Sequence, residues 1–193
     1  MEQYIVNGRV FTDGKFQEKT IGVEGGCLHI LPTDTEIPEG ANVYDAKGKR
    51  VAPGFIDLHT HGALGVDVNA ASAEELGKIG HFMATQGTTS WLCSVLTDTK
   101  EQTLWCIDEF KKHREMDCDD ANLLGIHLEG PFLAKEYKGA MPEHLLLDAD
   151  VELLKEYQDA AEGNIRYLTV SPEIEGIVDA IPAMKELGIV VAI

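Results

Sequence analysis

Short apolar runs separated by turn residues fill the first fifty positions. Tyr4-Ile5-Val6, Arg9-Val10-Phe11, Thr20-Ile21-Gly22-Val23 and Cys27-Leu28-His29-Ile30 are divided by Asn7-Gly8, Asp13-Gly14 and Gly25-Gly26. Asn-Gly and Asp-Gly between β-prone runs mark hairpins. No helical period shows, so residues 1–50 are expected to form a small β-sandwich module, with His29 a plain strand residue.

After Lys47-Gly48-Lys49-Arg50 the period changes. A strand is expected over 51–61, around Pro53-Gly54. Ser72-Ala73-Glu74-Glu75 then reads as a capping box, with Ser72 as N-cap and Glu75 reaching back to it. Leu76, Ile79 and Met83 follow at helical spacing, and Gly87 supplies a stop. Residues 88–96 predict the next strand. Asp98-Thr99-Lys100-Glu101 opens a helix with Leu104, Ile107 and Phe110 on one stripe, and 123–129 is the third strand. A helix near 151–161, a strand over 165–171, a helix over about 176–187 and a strand from 188 complete the series. Pro182 marks a kink or restart in the last helix.

Strands alternating with helices imply a parallel sheet with right-handed crossovers. A full (β/α)8 barrel takes roughly 250 residues. Residues 51–193 are therefore expected to be its first half, truncated in the fifth strand. A five-stranded doubly wound sheet is the alternative. Against it, no Gly-x-Gly-x-x-Gly follows a first strand.

Composition narrows the function. With 193 residues and 44% hydrophobic content, the chain can bury a real core. No apolar run approaches the roughly 20 residues that span a bilayer. The start, Met1-Glu2-Gln3-Tyr4, lacks the basic and apolar stretches of a signal peptide. Four cysteines without a C-x-x-C spacing, Cys93 and Cys106 among apolar neighbours, fit a reduced cytoplasmic protein. A net charge of −17 argues against nucleic acid and anionic membranes as partners.

The most informative stretch is Leu124-Gly125-Ile126-His127-Leu128-Glu129-Gly130-Pro131-Phe132. Strand alternation puts Gly125, His127 and Glu129 on one face and Leu124, Ile126 and Leu128 on the other. Gly130-Pro131 stops the strand, leaving Glu129 at a rim. The companion is Pro53-Gly54-Phe55-Ile56-Asp57-Leu58-His59-Thr60-His61-Gly62, where Asp57, His59 and His61 are expected to share a face. Two imidazoles at i and i+2 near a strand end can reach one divalent cation, and catalytic residues of such barrels sit at strand C-termini. Glu129 can reach the same cation, while His127 reads equally as ligand, as supporting partner or as satisfied core histidine. His81 reads as structural, His113 in Lys111-Lys112-His113-Arg114 as a solvated helix end, and 115–120 as a solvated loop. Ser90 and Ser94 have no adjacent base, so a serine nucleophile has no support.

Together the motifs carry a resemblance. Pro53 to His61 resembles the opening strand of the amidohydrolase superfamily. His127-Leu128-Glu129-Gly130-Pro131-Phe132, followed by Lys138-Gly139-Ala140 and Ser171-Pro172-Glu173, resembles the N-acetylglucosamine-6-phosphate deacetylases. The resemblance covers nearly the whole chain and implies an α/β fold: the N-terminal half of a (β/α)8 TIM-like metal-dependent hydrolase barrel preceded by the β-module. It implies hydrolysis of the acetamide of a phosphorylated amino sugar, a cofactor of one or two divalent ions (zinc or iron), and a homodimer for the full-length protein. It makes Glu129 a metal ligand with His59 and His61 as the further pair, His127 and Asp57 their supports, and Ala140 and Met141 substrate-binding. No lysine on 165–171 offers the bridging ligand of other relatives.

Met141 departs from the His or Gln usual at that place, and His144 lies three positions on. The resemblance places the catalytic aspartate, two further metal histidines and the phosphate-binding residues beyond Ile193. No catalytic residue is therefore assigned in this chain, which is expected to be an inactive fragment. The rivals are a dihydroorotase- or hydantoinase-like cyclic amidohydrolase, and a non-catalytic half-barrel that self-associates through its strand edges.

Overall fold

The computed structural model describes residues 3–193. Met1 and Glu2, the first residues of the expected module, lie outside the described residues. The chain forms two compact units, one ending at Pro53 and one spanning Gly54–Ile193.

In the first unit, β1 (Gln3–Thr12) pairs antiparallel with β2 (Lys15–Glu24), and β2 with β3 (Cys27–Leu31). Asp13-Gly14 and Gly25-Gly26 make the hairpin turns, all four residues at positive φ. β4 (Asn42–Asp45) and β5 (Arg50–Val51) both lie parallel to β1, giving a single five-stranded mixed sheet. Among the described residues of this unit there is one sheet layer, where a sandwich was expected.

Asn7-Gly8 is not a turn. β1 runs through it, and its register against β2 slips between Ile5 and Gly8. The slip matches the Lys47-Gly48 turn on the other side of β1. Gly48 N–H donates to Asn7 O at 2.7 Å, and Arg9 N–H to Lys49 O at 2.9 Å. A Cβ on Gly8 would lie 2.9 Å from Val51 Cγ2, so glycine permits the close approach. The hairpin dipeptide is spent on a bulge.

The second unit opens with β6 (Phe55–Thr60), a small antiparallel ribbon of β7 (Gly62–Ala63) and β8 (Val66–Asp67), and a 3-10 turn over Val68–Ala70. There follow α1 (Ala73–Thr85), β9 (Thr88–Leu96), α2 (Lys100–Glu115), β10 (Asn122–Glu129), α3 (Val151–Ala160), β11 (Ile165–Thr169), α4 (Ile177–Glu186) and β12 (Val190–Ala192). The five main strands are all parallel, in the order β12-β11-β10-β9-β6. The sheet curls as a parallel half-barrel. Both sides of the predicted Ser72–Glu75 capping box are made, and α4 carries Pro182 inside it. No helix of the described residues is long and apolar enough to cross a membrane.

The helices cover one face of this sheet. Trp91, Ile126 and Leu168 pack there against Ile79, Phe110, Leu154 and Met184, all fully buried. Each such side chain contributes about 1.5–3 kcal/mol through removal from water. Alternation on β10 departs from expectation at one place. Leu123 opposes Trp91 and Gly125 opposes Leu92, so Leu124 is an extra, exposed residue. Leu123 replaces it on the core face with Ile126 and Leu128.

Two polar expectations also fail. His113 is not a solvated helix end; it is buried, with Nδ1 at 3.1 Å from Ala73 O. The 115–120 loop turns its last carboxylate, Asp120, inward against Gly80 of α1.

Candidate metal centre

On β10, Gly125, His127 and Glu129 stand beside Leu92, Ser94 and Leu96 of β9. Gly130 then leaves the strand at φ +86. A Cβ there would lie 2.1 Å from Thr97 Oγ1, the hydroxyl that donates to Glu129 O at 2.8 Å. Glycine thus protects the bond that fixes the Glu129 backbone.

β6 delivers the two imidazoles through another irregularity. Asp57 opposes Trp91 and Thr60 opposes Cys93, so three steps of β6 match two of β9. This bulge breaks the alternation expected over Asp57, His59 and His61. Asp57 turns to the backbone: its Oδ1 accepts from His59 N–H at 2.9 Å. Its effect on the imidazoles runs through the position of the chain.

His59 Nε2, His61 Nε2 and Glu129 Oε2 converge. The imidazole nitrogens are 2.9 Å apart and lie 3.2 and 2.9 Å from the carboxylate oxygen. A tetrahedral ion with bonds of about 2.0–2.1 Å spaces its ligands about 3.3–3.4 Å apart, so the trio is slightly contracted around such a point. His61 Nδ1 lies 3.1 Å from Ser94 O, and a carbonyl only accepts. In the neutral ring the proton is therefore on Nδ1, and Nε2 turns a lone pair toward Glu129. His59 Nε2 can donate a proton to His61 Nε2 or Glu129 Oε2, or give up that proton so that all three atoms face a divalent cation. Two imidazole nitrogens and a carboxylate oxygen suit zinc and other first-row divalent ions, so the residues present fit the expected group.

His127 stands apart from the trio. It is completely buried, with Nδ1 at 2.8 Å from Ser94 Oγ and Nε2 at 2.9 Å from Thr169 Oγ1. Its ring meets His59 and Tyr167 edge to face, with centroids 4.7 and 5.1 Å away. Burial, helped by His59 and His61 nearby, pushes its pKa down to about 4. The neutral ring fits its partners: Ser94 Oγ accepts from Thr60 N–H at 3.0 Å and gives its own proton to Nδ1.

Ser94 and Thr169 are the residues that sequence reasoning missed. Ser94 does meet an imidazole in space, but it is fully buried and bonded on both sides, a tie between strands and no nucleophile. The usable signal is its place two residues before Leu96, since a parallel neighbour sets Leu92, Ser94 and Leu96 beside Gly125, His127 and Glu129.

A cavity of about 650 Å³ opens beside Glu129 and His61, walled by Ala140, Met141, Ser171 and Glu173. Met141 is buried, and its carbonyl accepts from Lys138 Nζ at 2.7 Å. His144 is exposed and does not line this cavity.

No protein-family model matches the chain. It is 32% identical over 174 residues to the N-acetylglucosamine-6-phosphate deacetylase of Bacillus subtilis, covering 88% of this chain and 44% of that protein. The crystal structure of N-acetylglucosamine-6-phosphate deacetylase from Pasteurella multocida superposes with a TM-score of 0.82 at 28% identity, over 98% of this chain and 49% of that one. A D-hydantoinase from a Bacillus species shares the fold at a TM-score of 0.56 and 23% identity, over 98% of this chain and 39% of that one. The chain spans somewhat under half the length of the curated relatives it matches, 40% and 44% for the first two. On these likenesses the chain belongs to the N-acetylglucosamine-6-phosphate deacetylase family and matches a portion of its members' length.

Proposed function

We propose that this chain supplies the metal-binding half of an enzyme that hydrolyses the acetamide of N-acetylglucosamine 6-phosphate to glucosamine 6-phosphate and acetate. The observation that carries the reading is the convergence of His59 Nε2, His61 Nε2 and Glu129 Oε2 within 2.9–3.2 Å at the mouth of a cavity. The trio holds one divalent cation, zinc or iron. When bound, such an ion supplies Lewis acidity, lowering the pKa of water and polarising an amide carbonyl. The chain's own residues prepare that place. Ser94 O sets the His61 tautomer, Asp57 holds the His59 backbone, and neutral His127 backs the His59 ring.

Ala140 and Met141 form the cavity wall that meets the sugar. A thioether offers only a weak acceptor, so recognition there is by shape more than by donated hydrogen bonds. The catalytic aspartate, further metal ligands and phosphate-binding groups belong to the part of the relatives' length that this chain does not match. A net charge of −17 makes a local cationic phosphate site necessary, and the assembled protein acts as a homodimer.

Acetate release from N-acetylglucosamine 6-phosphate is the test, using the chain alone and co-expressed with the remaining half of the Bacillus subtilis relative. The expected result is no turnover alone and turnover with the added half, lost in Glu129→Gln. Opening of a hydantoin or dihydroorotate in place of deacetylation would move the protein to the cyclic amidohydrolases. One observation favours a second, non-catalytic reading: the end strands of the sheet expose Phe55, Ile56 and Leu58 on β6 and Val190 on β12. A metal-free oligomer that binds no ion on titration would favour it.

A further inference from the structure

His113, Cys118 and Asp120 bring an imidazole nitrogen, a thiol sulfur and a carboxylate oxygen within 4.8 Å of one another. They lie where the chain runs from α2 into β10, so the length of β10 separates them from Glu129. An eight-residue strand at about 3.3 Å per residue makes that roughly 26 Å. The proposed deacetylation uses none of these three groups.

The imidazole and the carboxylate face each other in a contact that is an ion pair only when His113 carries a second proton. His113 Nδ1 lies 3.1 Å from Ala73 O, so in the neutral ring Nδ1 holds the proton and Nε2 presents a lone pair. That lone pair points to Asp120 Oδ2 at 3.2 Å. The Asp120 side chain is only 10% exposed. Its Oδ2 makes no well-formed hydrogen bond among the described residues and has His113 Nε2 as its ion-pair neighbour. A buried carboxylate oxygen without a well-formed hydrogen bond is costly, and the fold nonetheless builds for it. Gly80 has no side chain where a Cβ would lie 2.8 Å from that same oxygen, and Gly80 O accepts from Ala121 N–H at 3.1 Å to hold the loop down. Trp91 Nε1 ties the other side, donating to Ala121 O at 3.2 Å. Cys118 lines an open cavity of about 320 Å³ together with His113 and Asp120, which leaves room for water as a fourth ligand.

We propose that His113 Nε2, Cys118 Sγ and Asp120 Oδ2 form a second metal site, a structural one for zinc, that fastens the loop between α2 and β10 to α1. The 3.2 Å separation of nitrogen and oxygen is close to the edge of a tetrahedron with bonds of about 2.0–2.1 Å. The mixed nitrogen, sulfur and oxygen set favours zinc over magnesium or calcium.

Cobalt(II) is the probe, because a thiolate bound to it gives a charge-transfer absorption in the near ultraviolet. The trio of His59, His61 and Glu129 offers no thiolate, so cobalt bound there gives no such band, and loss of the band in Cys118→Ser assigns it to this site rather than to Cys27. Titration of the metal-stripped chain should give the band at near-stoichiometric cobalt. Glu129→Gln should keep it and Cys118→Ser should abolish it. Zinc should also raise the Tm of the Glu129→Gln chain and fail to raise that of a Cys118→Ser/Glu129→Gln chain. Asp120→Asn, which keeps shape and removes charge, should weaken cobalt binding about tenfold or more. A band that survives Cys118→Ser, or that appears only at millimolar cobalt, overturns the site. These outcomes do not depend on deacetylase activity.

Discussion

At the scale of single residues, the candidate metal centre depends on Ser94, which is no member of the converging trio. Its carbonyl fixes the His61 tautomer, and its hydroxyl joins Thr60 N–H to His127 Nδ1. Ser94→Ala leaves buried His127 Nδ1 unpaired, at about 1–3 kcal/mol, and half-buried Thr60 N–H unpaired at a smaller cost. The carbonyl that meets His61 is kept, but Thr60 lies between His59 and His61 and His127 backs the His59 ring, so zinc binding at the trio should weaken by about tenfold through their displacement. Urea unfolding and zinc titration check the two effects separately; a Ser94→Ala chain of unchanged zinc affinity would refute the positioning role. The cysteines give a second prediction. Burial pushes the Cys93 thiol far up and Cys106 up to about 12. Because the thiolate is the reactive form, both should stay unmodified by a thiol reagent at mildly alkaline pH while exposed Cys27 reacts. Rapid native modification of Cys93, read by peptide mass, would contradict the burial.

Elements differ in how their sequence specifies them. Ser72→Ala removes a cap that is purely local and should cost about 1 kcal/mol. Gly125→Ala acts across strands: its Cβ would lie 2.6 Å from Asn164 O and 2.5 Å from Arg166 Cγ. The carbonyl belongs to backbone and yields little, so the cost should be about 1–3 kcal/mol, read as a fall in the urea midpoint at unchanged m-value. A Gly125→Ala chain as stable as the wild type would show that β11 shifts freely. The same contrast explains what the sequence disclosed. The capping box, the helical stripe of Ile79 and Met83 and the apolar strands announce themselves within one element. The bulges at Leu124 and in β6, and the use of Asn7-Gly8 inside β1, exist only because a neighbouring strand or turn sits opposite. His59, His61 and Glu129 were legible because each lies at or beside the C-terminal end of a strand. Ser94 and Asp120 were hidden, because their partners, His127 and His113, come from other elements.

At the scale of the whole molecule, two terms oppose each other. The parallel sheet ends on β6 and β12, where Phe55, Ile56 and Leu58 are 72%, 61% and 46% exposed and Val190 is 60% exposed. Open apolar edges of this kind pair with other strands. Against that stands a net charge of −17, which makes two copies repel. The repulsion is screened over about 8 Å at physiological ionic strength and about 3 Å at 1 M salt, whereas apolar contact is not. Self-association of the chain should therefore rise with added sodium chloride, visible as a growing weight-average mass in sedimentation. Ile56→Lys should suppress it at every salt concentration, since the charge lies in the contact itself and not in the distant field. Association that falls as salt is added would mean that ion pairs hold the copies together, and the edges would lose their part in it.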